Sequence, residues 1–218
     1  MKAILFDLDG TLIDSSEGIT KSVQYTLDYY GIDEPDLEKL KCFIGPPLRG
    51  SFMKYYNFSE EQAVEATIKY RERYHPIGVY ECKLYPDVEK CIRALKDKGY
   101  MIGMASSKPE VMCRTILEHF NILDLFDDVV GASLDGKIDT KEEVLNEVMR
   151  RWSSIDKKDM WLVGDTLFDV EGANQVGIKC IGVSFGFGDT DEMLAAGAVT
   201  ICDSMMELLD IIKKVLHN

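Results

Sequence analysis

Apolar residues in this chain fall into short blocks separated by polar, helix-spaced stretches. Ala3-Ile4-Leu5-Phe6 is a continuous apolar run, the pattern of a strand buried on both faces. From residue 80 onward such runs alternate with helices. Val88, Cys91, Ile92 and Leu95 repeat at helical spacing through 87–98, and Gly99 stops the helix. Residues 100–105 follow as an apolar strand, then a helix to about Phe120. Further strands are predicted at 129–132, 160–163, 179–183 and 199–202, and further helices at 140–152, 168–176, 192–196 and from Ser204. Strand and helix in alternation predict an α/β fold: a parallel sheet with helices on both faces and right-handed crossovers.

Residues 15–82 break this rhythm. Segments 18–30, 36–43 and 59–74 carry helical spacing with no strand between them. The expected organisation is a core of residues 1–14 and 83–218, with an all-helical insertion, 15–82, acting as a lid over the strand ends.

Composition narrows the function classes. The 218 residues are 46% hydrophobic and 29% charged, with a formal net charge of −13. Such a chain can bury a proper core. Its charge disfavours a nucleic-acid polymer or an anionic membrane surface as principal partner. A small anionic substrate stays open, because a metal and a local lysine invert the field inside a pocket. The six cysteines have no Cys-x-x-Cys spacing and are expected as buried, reduced thiols. With no signal peptide and no membrane-length apolar run in view, the expected setting is cytoplasmic; monomer and homodimer are both open.

Four polar clusters each follow a predicted strand, on the edge where open parallel sheets bind ligands. In Phe6-Asp7-Leu8-Asp9-Gly10-Thr11 the two aspartates are two apart at a strand end and should converge. Their repulsion calls for a hard cation with oxygen ligands, of which Mg²⁺ is the common cellular one. Ser106 and Ser107 follow the 100–105 strand, with Pro109 suited to the first helical position; either hydroxyl would serve as a helix cap or phosphate cradle. Lys141 lies in a capping box, Thr140-Lys141-Glu142-Glu143, at a helix start where a cation opposes the dipole. Lys137 is its rival. Asp165 and Asp169, after Trp161-Leu162-Val163, would complete an acidic metal site beside Asp7. Gly182–Gly188 (GVSFGFG) lacks the full spacing of a dinucleotide loop.

Together the order Asp7/Asp9, Ser106, Lys141 and Asp165 with Asp169 resembles the haloacid dehalogenase superfamily through all four of its motifs. The resemblance spans essentially the whole chain and implies a Rossmann-like core with a helical cap. Glu142 departs from the proline that follows the lysine in many relatives. True dehalogenases and phosphonate-cleaving members lack the aspartate found here as Asp9, and sugar phosphomutases usually carry valine where this chain has Thr11. The phosphatase branch is left, most similar to the phosphoglycolate phosphatase group with its nucleotidases and pyrophosphatases. Phe43-Ile44-Gly45-Pro46-Pro47-Leu48-Arg49 is a segment typical of that group.

The resemblance implies Asp7 as nucleophile and Asp9 as acid–base. Mg²⁺ would sit on Asp7, the Asp9 backbone carbonyl, Asp165 and Asp169. Thr11, Ser106, Ser107 and Lys141 would bind phosphate, and Arg49 would contact a small phosphorylated metabolite. A phospho-acceptor domain of the response-regulator type shares these residue types. Its acceptor aspartate follows a middle strand, however, and it lacks the helical insertion.

Overall fold

The structure, a computed structural model, describes residues 2–216. Eight strands occur among them: β1 (Ala3–Phe6), β2 (Ile13–Asp14), β3 (Lys83–Leu84), β4 (Met101–Pro109), β5 (Asp128–Ala132), β6 (Met160–Gly164), β7 (Lys179–Val183) and β8 (Ile201–Cys202). Six of these form one parallel sheet in the order β5-β4-β1-β6-β7-β8. The helices are α1 (Ser16–Tyr29), α2 (Leu48–Tyr56), α3 (Glu60–Tyr74), α4 (Val88–Lys96), α5 (Glu110–His119), α6 (Lys141–Arg151), α7 (Leu167–Val176), α8 (Thr190–Ala196) and α9 (Met205–Leu216).

The chain divides into two compact units, Met1–Ile13 with Leu84–Asn218, and Asp14–Lys83. In the first, every residue of β1 is fully buried, as its unbroken apolar run requires. The chain steps from β1 to β4 and β5 on one side, then to β6, β7 and β8 on the other. That reversal of direction opens a crevice at the carboxyl ends of the central strands. Phe6 pairs in register with Met104 and Val163, so Asp7, Ala105 and Gly164 stand side by side on this edge. Beneath it, Leu5, Ala105, Val144, Leu145, Leu162, Val170 and Ala173 belong to one apolar cluster joining the sheet to α6 and α7.

In the second unit α1, α2 and α3 surround an aromatic core. Phe52 lies edge-on to Phe43 at 4.9 Å and stacks on Phe58 at 5.6 Å, while Tyr30 meets Phe58 edge-on at 4.7 Å. Ser59 and Gln62 form a reciprocal capping box that starts α3. One expectation fails here. The predicted 36–43 helix is only a short 3₁₀ turn, Lys39–Phe43. After it, Gly45-Pro46-Pro47 leads from that turn into α2 with Pro47 as its N-cap; proline has no N–H to leave unsatisfied there. Arg49 therefore occupies the first turn of α2 and is exposed.

Another correction concerns the strand expected to stop at Ala105. β4 runs on to Pro109, with a register shift against β5 between Ser106 and Pro109. Pro109 is the N-cap of α5, not its first helical residue. Ser106 instead accepts the Lys108 N–H through its Oγ at 3.3 Å. Neither Ser106 nor Ser107 caps the helix, because the irregular extension of the strand carries both past that position. No helix among the described residues is long and apolar enough to cross a membrane.

Candidate active site

The turn after β1 winds tightly on one carbonyl. The N–H groups of Thr11, Leu12 and Ile13 all point to the Leu8 oxygen, at 3.2, 2.9 and 3.1 Å. Gly10 has φ +79°, and a Cβ there would lie 1.9 Å from Asp165 Oδ2. Glycine is required both for the backbone conformation and for the approach of the second acidic loop.

Asp7, Asp165 and Asp169 come together at this edge. One carboxylate oxygen from each lies within 4.8 Å of the other two, and all three residues are buried. Lys141 reaches into them from the start of α6. Its Nζ lies 2.8 Å from Asp7 Oδ1, 2.8 Å from Asp169 Oδ1 and 2.8 Å from the Ala105 carbonyl. The Thr140–Glu143 capping box forms as expected and aims this lysine inward. Lys137, its rival, pairs with Asp135 in solvent. The dipole cost of a cation at this helix start is offset by two buried carboxylates.

Asp169 divides its oxygens. Oδ2 accepts from the Thr166 N–H at 3.0 Å and the Thr166 hydroxyl at 2.9 Å, fastening the start of α7, while Oδ1 faces Lys141. Asp165 accepts from the Thr11 hydroxyl at 3.3 Å and from the Phe187 N–H at 2.8 Å. Thr11, expected at the phosphate, thus orients Asp165 in this structure. The Gly182–Gly188 stretch also has its explanation: a Cβ on Gly186 would sit 2.3 Å from Asp165 Oδ2 and 2.5 Å from the Gly10 carbonyl. Gly186 and Gly188 let the loop after β7 close over Asp165, whereas Gly182 faces Ile201 and Met193. Sequence reading missed this because the motif is legible only beside its partner.

Charge in the cluster is unbalanced. Burial pushes the Asp7 carboxyl up to about 6; the Lys141 ammonium opposes this, and Asp169 and Asp9 add to it. Burial, then Asp169 and Asp7, hold Asp165 well above the usual carboxylate range. Burial lowers the Lys141 ammonium, yet Asp169 and Asp7 outweigh it and hold Lys141 above its ordinary value. Ionised together, the three carboxylates would face one ammonium with two negative charges uncompensated. An oxygen-only donor set with that surplus fits a hard dication.

The Asp9 side chain has its own partner. Its carboxylate is gripped by Lys108, whose Nζ lies 3.0 Å from Oδ1 and 2.7 Å from Oδ2, an arrangement that leaves free the backbone carbonyl expected at the metal. Lys108 was passed over in the sequence. Its signal was present in Ser106-Ser107-Lys108-Pro109, where attention goes to the hydroxyls. Ser106 is buried and Ser107 partly so. All six cysteines are free. Burial pushes the Cys91 and Cys202 thiols up to about 12, which removes them as nucleophiles at neutral pH.

Known proteins match this arrangement over nearly its whole length. The family model described as haloacid dehalogenase-like hydrolase matches residues 4–183. A 5'-nucleotidase of Pseudomonas aeruginosa is 40% identical over 210 residues, 96% of this chain and 95% of its own. A phosphoglycolate phosphatase of Aquifex aeolicus is 28% identical over 211 residues, 96% of this chain and 97% of its own. The crystal structure of a predicted phosphatase from Clostridium acetobutylicum superposes with a TM-score of 0.95 at 45% identity, covering 98% of this chain and 99% of that one.

Proposed function

We propose, because the chain belongs to the haloacid dehalogenase-like hydrolase family and is one of its phosphatases, that it hydrolyses a small phosphomonoester through a phosphorylated Asp7, with Mg²⁺ as cofactor. The observation that carries this reading is Asp7 itself: a strand-end carboxylate oriented by Lys141 and grouped with Asp165 and Asp169. A nucleoside monophosphate is the favoured substrate, supported by the 40% identity to a 5'-nucleotidase over almost the full chain. Phosphoglycolate and pyrophosphate are the alternatives.

The residues divide the work. Asp7 is the nucleophile, and Lys141 holds its Oδ1 so that the other oxygen faces the phosphorus. Asp9 gives a proton to the leaving oxygen and then takes one from the attacking water. Lys141 and Ser106 stabilise charge on the phosphoryl oxygens. Asp7, Asp165 and Asp169 would hold Mg²⁺, which when bound neutralises phosphoryl charge and orients the group for in-line attack. Phosphate release from a panel of nucleoside monophosphates, phosphoglycolate and pyrophosphate, with Mg²⁺ and with chelator, tests the reading. Folded protein silent on the whole panel would overturn it.

Two further outcomes follow. Adding Mg²⁺ to metal-free protein is expected to raise the melting temperature at pH 7–8, with a smaller rise below pH 6. The sign comes from Asp7, raised from 3.8 to about 6. This group's contribution to metal-free stability is complete below the unfolded value and is lost as pH climbs through 6. A cation then replaces the proton, so its gain is largest where the proton has gone. Equal increments at pH 5 and pH 8 would count against the assignment of Asp7 as a ligand. Arg49→Ala is expected to raise KM severalfold for the best substrate with little change in kcat, as for lost uniform binding. An unchanged KM would remove Arg49 from substrate contact.

A further inference from the structure

Lys108 has no part in the mechanism above, yet it is buried against one of its principals. The Lys108 and Asp9 side chains are 7% and 11% exposed, so solvent screens their attraction weakly. The backbone of Lys108 is held on both sides: its N–H donates to Ser106 Oγ at 3.3 Å, and its carbonyl accepts from the Cys113 thiol at 3.6 Å. The irregular end of β4 thus presents the lysine from a fixed base. Its Nζ lies within 3.0 Å of both Asp9 oxygens.

A carboxyl group with no partner swings among rotamers about its Cα–Cβ bond. A fixed ammonium seated between both oxygens holds it in one of them. This matters for a group that must pass a proton to one oxygen and take a proton from another, since proton transfer requires alignment as well as reach. The two lysines also partition the aspartates. Lys141 serves Asp7 and Asp169, while Lys108 serves Asp9. Asp9 is thereby kept apart from the acidic cluster, two residues from the nucleophile.

We propose that Lys108 is the positioning residue of the acid–base aspartate, its two-point grip aligning Asp9 with the leaving oxygen. The inference rests on the phosphatase reading. In the first step a bond forms between Asp7 and phosphorus, the ester P–O bond breaks, and the Asp9 proton goes to the departing oxygen. In the second, water oxygen bonds to phosphorus, the bond to Asp7 breaks, and a water proton goes to Asp9. Misaligning Asp9 impairs the first step only where the leaving oxygen needs that proton.

The test is a comparison of kcat/KM, which reports the steps through phosphoenzyme formation. Lys108→Met, Lys108→Arg and wild type are assayed on an alkyl phosphomonoester, a poor leaving group, and on p-nitrophenyl phosphate and acetyl phosphate, whose leaving groups depart unprotonated. Lys108→Met is expected to lose about 10²-fold on the alkyl ester and no more than about fivefold on the other two, the selective pattern of lost acid catalysis. Lys108→Arg, which keeps a cation able to meet both oxygens but with a bulkier planar head, should recover part of the loss. Melting curves establish that each variant is folded; if Lys108→Met is not, Lys108→Gln takes its place. Equal losses on all three substrates would make Lys108 a substrate-binding or structural residue and overturn the proposal. So would no loss on any of them. Wild-type protein that releases no phosphate fails the phosphatase reading instead, an outcome distinct from either.

Discussion

Asp7→Asn is expected to lower phosphate release by on the order of 10⁴-fold or more, leaving the fold intact. An amide is nearly isosteric with the carboxylate but cannot attack phosphorus, so no covalent intermediate forms. The stability side of this expectation comes from the electrostatics. Asp7 is already pushed toward its neutral form by burial, and Lys141 keeps its contact with Asp169 when Asp7 is neutralised. In chelator the variant should therefore melt no lower than wild type, while the Mg²⁺-dependent rise in melting temperature shrinks. Steady-state release and melting curves check both halves. Near wild-type turnover would remove Asp7 as nucleophile; a collapsed melting curve would show that the ionised form is needed for folding.

The second large effect is expected at Lys141. Lys141→Met removes the ammonium shared by Asp7 and Asp169 and leaves both buried beside Asp165. Breaking a buried pair by removing one partner costs about 3–5 kcal/mol, and turnover should fall below detection. The cost depends on pH in a definite direction. Without the ammonium, Asp7 and Asp165 have still more reason to be protonated, and protonation relieves their repulsion. The variant should recover part of its stability between pH 8 and pH 5 when metal is absent. Urea denaturation in chelator at both pH values measures this; a deficit independent of pH would mean that the lysine stem, not its charge, supports the site. Lys137→Met, an exposed lysine paired with Asp135, should change stability by less than about 1 kcal/mol, which separates the two lysines that the sequence left in competition.

The contrast between those lysines shows where sequence reading stops. The fold class was legible because each buried strand has an unbroken apolar run and each covering helix a regular stripe; both are consequences of local geometry and burial. The capping box at Thr140–Glu143 was legible for the same reason, since its partners are three residues apart. Errors clustered where local rules compete. Residues 36–43 carry helical spacing but form only a 3₁₀ turn, and Ser106-Ser107 reads as a cap but lies on an irregular strand end.

By itself, then, the amino-acid order determined the alternation of strand and helix, the helical insertion, and the placement of Asp7, Asp9, Ser106, Lys141, Asp165 and Asp169 after successive strands. Tertiary structure alone decided how those groups are paired. It set Lys141, not Lys137, between Asp7 and Asp169, turned Thr11 and the Phe187 N–H toward Asp165, and gave Asp9 to Lys108. Asp9 and Lys108 are 99 residues apart, and Asp7 and Lys141 are 134 apart. Periodicity reports which face of an element is buried; contacts across such separations arise only when the sheet order brings the ends of β1, β4 and β6 to one edge.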